Sequence, residues 1–158
     1  MQDALAHKFA TLIETHSGII YQVIKLYADT QEDQQDLYQE IVLQCWKSFA
    51  RFEGKSKFST WLYRVSLNTI LSYNRKAHRE IPTDNIILAS PEEPVASVEK
   101  AALYQAIKQL VEVDRMLILL HLEEYKNGEI AEIMGLTVNH VNVKLHRIKN
   151  QIIAQLKK

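Results

Sequence analysis

The chain has 158 residues, 47% of them apolar, and its 19 Lys and Arg balance 19 Asp and Glu. It can therefore bury a core of one domain or two small ones, and its four Gly and three Pro favour helices over turn-rich sheet. A single cysteine, Cys45, excludes an internal disulfide and a cysteine-built metal site, and no stretch approaches the roughly 18 apolar residues of a membrane span.

The charge is balanced in sum but not along the chain. Residues 1–50 carry three Lys/Arg against seven Asp/Glu, and residues 51–80 seven against two. Residues 81–135 carry four against ten, and residues 136–158 five against none. Two basic blocks set between acidic ones imply two sites for a polyanion and separate surfaces for another partner.

From the N-terminus, apolar spacing of three and four predicts helices over 3–28, 31–50 and 59–78. The opening "MQDALAHKFATLIETHSG" lacks the basic start, apolar run and cleavage site of a secretory signal, so a cytoplasmic location is expected. In the second helix Tyr38, Ile41, Val42, Cys45 and Phe49 gather on a core-like side. Asp36, Glu40, Leu43 and Lys47 lie together elsewhere, an apolar centre among charges that suits protein docking.

Between the second and third helices, "FEGKSKFS" holds Gly54, Lys55, Lys57, Phe52 and Phe58. On the third, Trp61, Arg64, Asn68, Ser72 and Arg75 share one stripe, with Lys76 beside them. Leu62, Tyr63, Leu67, Ile70, Leu71 and Tyr73 look like core. Duplex DNA already stacks its own bases. Unpaired bases stack instead on exposed rings while cations hold the backbone, at roughly 1–3 kcal/mol per base, and an Asn can bond the edge of a base turned out of the stack.

Residues 80–97, "EIPTDNIILASPEEPVAS", contain all three prolines and no helical period, so they read as a linker between domains 1–79 and 98–158. Beyond it, helices are expected over 98–111, 113–124, 127–134 and 137–156. Gly135 suits a left-handed turn and Thr137 an N-cap, the pattern of a helix-turn-helix. On the last helix Val138, Val141, Leu145, Ile148, Ile152 and Leu156 form the apolar sector. Asn139, His140, Val143, His146, Arg147 and Asn150 lie opposite, with no acid to repel phosphate. Asn and Arg suit bidentate reading of adenine and guanine, and an apolar side chain can meet a thymine methyl.

One surface suited to unpaired DNA, one suited to the major groove and a separate docking face together resemble a bacterial extracytoplasmic-function (ECF) sigma factor, the small class with only sigma regions two and four. "DLYQEIVLQCW" resembles that family's polymerase-clamp docking helix, which implies docking roles for Asp36, Leu37, Gln39, Glu40 and the neighbouring Leu43, with Trp46 on the pattern. "RFEGKSKFSTWLYRVSLNTILSYNRK" resembles the melting and −10 segment, which traps a flipped base in a loop-and-helix pocket. This implies single-strand contacts for Phe52, Lys55, Lys57, Phe58, Trp61, Arg64, Asn68, Arg75 and Lys76, with Asn68 beside the pocket. "LVEVDRMLILLHLEEYKNGEIAEIMGLTVNHVNVKLHRIKNQI" resembles region four, implying −35 contacts for Thr137, Asn139, His140, Asn142, Val143, Lys144, His146 and Arg147. Val113, Lys55 and Asn142 depart from the family's usual Pro, acid and basic residue.

The resemblance implies an all-α protein of two small helical domains. Its partners would be the clamp of core RNA polymerase, promoter DNA and an anti-sigma factor, without membrane insertion, cofactor, metal or catalytic residues. Two rivals explain less. A two-metal nuclease needs carboxylates converging on a site about 4 Å wide, yet only Glu53 lies near the rings. A helix-turn-helix repressor accounts for 127–156 but leaves the aromatic loop and "DLYQE" unexplained.

Overall fold

The computed structural model describes residues 2–80 and 98–158, which fall in two compact all-helical units. The predicted linker lies outside the described residues except for Glu80, which ends a helix.

The first unit holds α1 (Gln2–Thr15), α2 (Ser17–Tyr27), α3 (Gln31–Phe49) and α4 (Phe58–Glu80). One helix was expected over 3–28; two are present, broken at His16. His16 leaves the helical region at φ −106°, ψ 14°. Its Nδ1 bonds the Leu12 carbonyl at 2.9 Å, and the Ser17 hydroxyl donates to the Glu14 carbonyl at 3.0 Å. Side chains that capture nearby carbonyls compete with continuous helix. The break redirects α2, whose Ile20, Val23, Ile24 and Leu26 are buried. Thr30 caps α3 by accepting from the Asp33 amide at 3.1 Å. From α3, Leu37, Ile41, Cys45 and Phe49 enter the core, and α4 supplies Leu62, Tyr63, Leu67 and Ile70. Leu71 and Tyr73 are only half-buried. Burial pushes the Cys45 thiol up to about 12, so this cysteine is an inert packing group.

The second unit holds α5 (Val98–Lys108), α6 (Glu112–Leu122), α7 (Asn127–Met134) and α8 (Val138–Leu156). Met116 through Leu120 are consecutively buried, so α6 runs through the middle of this unit. Gly135 takes φ +69° and ends α7, where the Leu136 amide bonds the Ala131 carbonyl at 2.9 Å. Thr137 then accepts from the His140 amide at 3.1 Å and starts α8. Val141, Leu145, Ile148 and Ile152 are buried as the helical period requires. Val138 and Leu156, expected in the same sector, are each 48% exposed because they lie at the helix ends, beyond the reach of the neighbouring helices.

Candidate docking and nucleic-acid surfaces

On α3, Asp36 and Gln39 are exposed, Leu43 is 45% exposed, and Glu40 is half-buried with the Gln44 amide on its carboxylate at 3.0 Å. These form an outward face. Leu37 does not belong to it. At 1% exposure it sits four residues before Ile41 on the core stripe, so it orients the helix and presents nothing to a partner. Trp46 is 40% exposed, with its ring 5.2 Å from that of Phe9.

After α3 the chain turns tightly. The Arg51 and Phe52 amides bond the Ser48 and Phe49 carbonyls at 3.0 Å, and Gly54 takes φ +74°. This folds Phe52 back onto α4, with ring centroids 5.2 Å from Trp61 and 5.9 Å from Phe58. Phe58 stands 5.4 Å from Trp61 and is buried, a backing ring that a base would not reach directly. Phe52 and Trp61 remain half-buried. With Arg51, Glu53, Lys55 and Ser56 they line a pocket of about 330 Å³. Lys55 is paired with Glu53 at 3.1 Å on the exposed rim. Lys57, Arg64, Arg75 and Lys76 are exposed; the Arg75 Nε also donates to the Leu71 carbonyl at 3.3 Å.

Asn68 is exposed but does not line the ring pocket. It lies two helical turns beyond Trp61, about 10 Å along α4, in a second groove of about 430 Å³ between α3 and α4. Glu40, Gln44 and Ser48 form one wall, while Asn68, Ser72 and Lys76 lie on the other. Burial raises the Tyr73 phenol in this groove, and Asp33, Asp36, Glu32 and Glu40 add to the effect. The candidate docking face of α3 and the candidate DNA stripe of α4 thus share a groove. Helical wheels drawn one at a time cannot show that, and Gln44 and Ser48 escaped notice for this reason. Arg51 and Ser56 were also missed, although their place beside Phe52 and Lys55 in sequence was the available signal.

On α8, Asn139, His140, Asn142, Val143, His146, Arg147 and Asn150 are exposed, and no acid lies on the helix. His146 Nε2 and the Asn150 amide pair at 3.3 Å. Thr137 spends its hydroxyl on the cap. Lys144 departs from expectation. Its ammonium lies 3.4 Å from Asp114 Oδ1, with side chains only 22% and 17% exposed, so it ties α8 to α6 and leaves the reading face. The heptad position explains this, because Lys144 lies next to Val141 and Ile148 on the wheel.

Among the described residues no cluster of three or more His, Cys, Asp or Glu is placed to hold a metal, and no helix is long and apolar enough to cross a membrane.

Residues 12–80 match the Sigma-70 region 2 family and residues 100–152 the Sigma-70 region 4 family. The chain is 26% identical to ECF RNA polymerase sigma factor SigW of Bacillus subtilis, over 94% of this chain and 89% of that one. It is also 26% identical to the ECF RNA polymerase sigma-E factor of Haemophilus influenzae, over 91% and 85% of the two chains. Among solved structures, the sigma factor RpoE of Bartonella quintana, in complex with the anti-sigma factor NepR, matches the fold with a TM-score of 0.77. That match has 21% identity and covers 95% of this chain and 97% of the other. CnrH in complex with the cytosolic domain of CnrY matches with a TM-score of 0.69 at 21% identity, over 96% and 89%. With both sigma regions matched in order along the chain, the protein belongs to the ECF subfamily of sigma-70-type sigma factors.

Proposed function

We propose that this sigma factor directs core RNA polymerase to its promoters by dividing the work among three surfaces. Asp36, Gln39, Glu40 and Leu43 on α3 dock on the polymerase clamp. Arg147, with Asn139, His140, Asn142, Val143 and His146, reads the −35 duplex. The ring pocket and the α4 stripe receive the melted −10 strand. One base stacks between Phe52 and Trp61 while Lys55, Lys57, Arg64, Arg75 and Lys76 follow the backbone, and Asn68 meets the edge of a base farther along the strand.

The observation that carries this reading is the pocket of about 330 Å³ with two half-buried rings and cations at its rim. Its volume is at the small end of the roughly 300–1,000 Å³ of ligand sites. Stacking there at roughly 1–3 kcal/mol per base favours the opened promoter over the duplex, a population shift without chemistry by the chain itself. Polymerase makes the RNA, and the cytoplasm is where the chain meets it. An anti-sigma factor would act by covering one of these surfaces.

The test is 2-aminopurine fluorescence placed base by base across the −10 element, with the chain bound to core polymerase. Wild type is expected to unstack a base. Asn68→Ala should lose base preference at one −10 position, keep the unstacking supported by the rings, and leave −35 duplex binding unchanged. Unchanged preference at every −10 position would remove Asn68 from the strand path, and absence of unstacking in wild type would overturn the −10 assignment.

A further inference from the structure

In the second unit, a side-chain hydrogen bond links the two helices of the helix-turn-helix: the Asn127 Nδ2 amide donates to Asn142 Oδ1. Asn127 is the first residue of α7. Its backbone is fixed there because the Glu129 carboxylate accepts from the preceding Lys126 amide at 3.2 Å. Asn142 is exposed on α8, one turn before His146 and directly before Val143 on the reading face. The bond therefore ties a residue of the DNA-facing surface to a fixed point on the supporting helix.

A free Asn has an acceptor end and a donor end, the combination that matches adenine N7 and N6 together. In this pair the acceptor end already faces Asn127. Because the amide is planar, fixing Oδ1 toward α7 also fixes the direction of Nδ2, and the end left for a partner is a donor. A donor is satisfied by guanine O6 or N7, by thymine O4 or by adenine N7, and is opposed by the cytosine N4 amino group; the two-point match that singles out adenine is lost. We infer that Asn127 is a positioning residue that locks Asn142 donor-outward, so that this position of the −35 element excludes cytosine and loses the two-point preference for adenine that a free Asn would have. The inference rests on α8 reading duplex DNA and adds what one of its side chains selects, and which residue makes it do so.

The polarity can be reversed at its source. Asn127→Asp replaces the donor with a carboxylate of nearly the same shape. Asn142 must then turn its Nδ2 inward and its Oδ1 outward. An acid in the first turn of α7 also suits the helix dipole, so the variant should fold. Holoenzyme made from the full chain and core polymerase is used to enrich a randomised duplex library. All four bases are then compared at each position of the enriched site, as ratios within each variant, so that a uniform loss of affinity from the added charge cancels.

Wild type is expected to disfavour cytosine against guanine at one base pair by roughly fivefold, the lower end of what a base contact supplies, with no excess of adenine over guanine or thymine. Asn127→Asp turns the acceptor outward and is expected to raise adenine and cytosine over guanine and thymine. Asn127→Ala should free the amide and raise adenine alone, and Asn142→Ala should erase the preference at that pair only. Unchanged ratios in Asn127→Asp and Asn127→Ala overturn the inference while leaving α8 as the reader. If wild type enriches no duplex sequence, and Arg147→Ala changes nothing, the assignment of α8 fails and the inference with it.

Discussion

In the second unit the proposed reading face is the outward side of one capped helix, whereas in the first it is a loop and helix whose rings also hold the core together. The difference is physical. Duplex edges are reached by projecting side chains, so α8 can separate its duties, with Val141, Leu145 and Ile148 inward and Asn139, Val143 and Arg147 outward. An unstacked base needs a flat apolar surface, and such a surface is stable only when its far side is packed. The rings therefore run in a connected series from Phe9 through Phe49 to Phe52 and Trp61, with centroids 5.2 to 6.3 Å apart along it. Under the proposed roles, recognition and stability are separable in the second unit and coupled in the first.

That contrast is most exposed to test at Phe58 and Val143. Phe58→Ala removes a buried ring and should destabilise the first unit by about 3–5 kcal/mol. Val143→Ala, on a side chain 49% exposed, should change stability by no more than about 0.5 kcal/mol. Both tryptophans, Trp46 and Trp61, lie in the first unit. Urea unfolding followed by tryptophan fluorescence therefore reports that unit alone, and far-UV circular dichroism reports both. Equal costs at the two positions would end the distinction.

The proposed docking helix, α3, gives a sharper comparison within one element. Leu37→Ala is expected to cost about 2–5 kcal/mol of stability, as core leucines do, with near-normal polymerase affinity per folded molecule. Leu43→Ala should leave the unfolding midpoint within about 0.5 kcal/mol of wild type and weaken binding to core polymerase on native gels. Weak binding by folded Leu37→Ala would return that residue to the docking face.

These corrections share a cause. The bounds of α3, α7 and α8 were legible because caps and period coincide there: Thr30 before α3, and Gly135 and Thr137 around the turn before α8. The break at His16 was not, since no Pro interrupts the apolar pattern from Leu12 to Ile20 and the break depends on side chains capturing carbonyls. Among the candidate site residues of α8, those that a helical wheel places opposite the core are exposed. Leu37, Phe58 and Lys144 carry the right chemistry for a surface but are used internally, and only the neighbouring helix reveals that. The proposed role of Asn127 is hidden for the same reason, because it depends on a partner 15 residues away.

Lys144 supplies the smallest expected effect and the finest test. A lysine on a DNA-reading helix would by default be a phosphate contact, and removing one lowers the salt dependence of binding by about one unit of slope. Here the ammonium faces Asp114 at 3.4 Å, with both side chains largely withdrawn from solvent. Lys144→Met keeps the aliphatic stem and removes only the charge. It should leave the slope of log affinity against log salt unchanged while loosening α8 on α6. The pair lies between the exposed and fully buried limits, so a coupling of about 1 kcal/mol is expected. A double-mutant cycle with Asp114→Asn isolates it, with amide hydrogen exchange along α8 as the readout. If the slope falls by one and exchange along α8 is unaltered, Lys144 belongs to the DNA face, and the separation of duties drawn for the second unit fails at that residue.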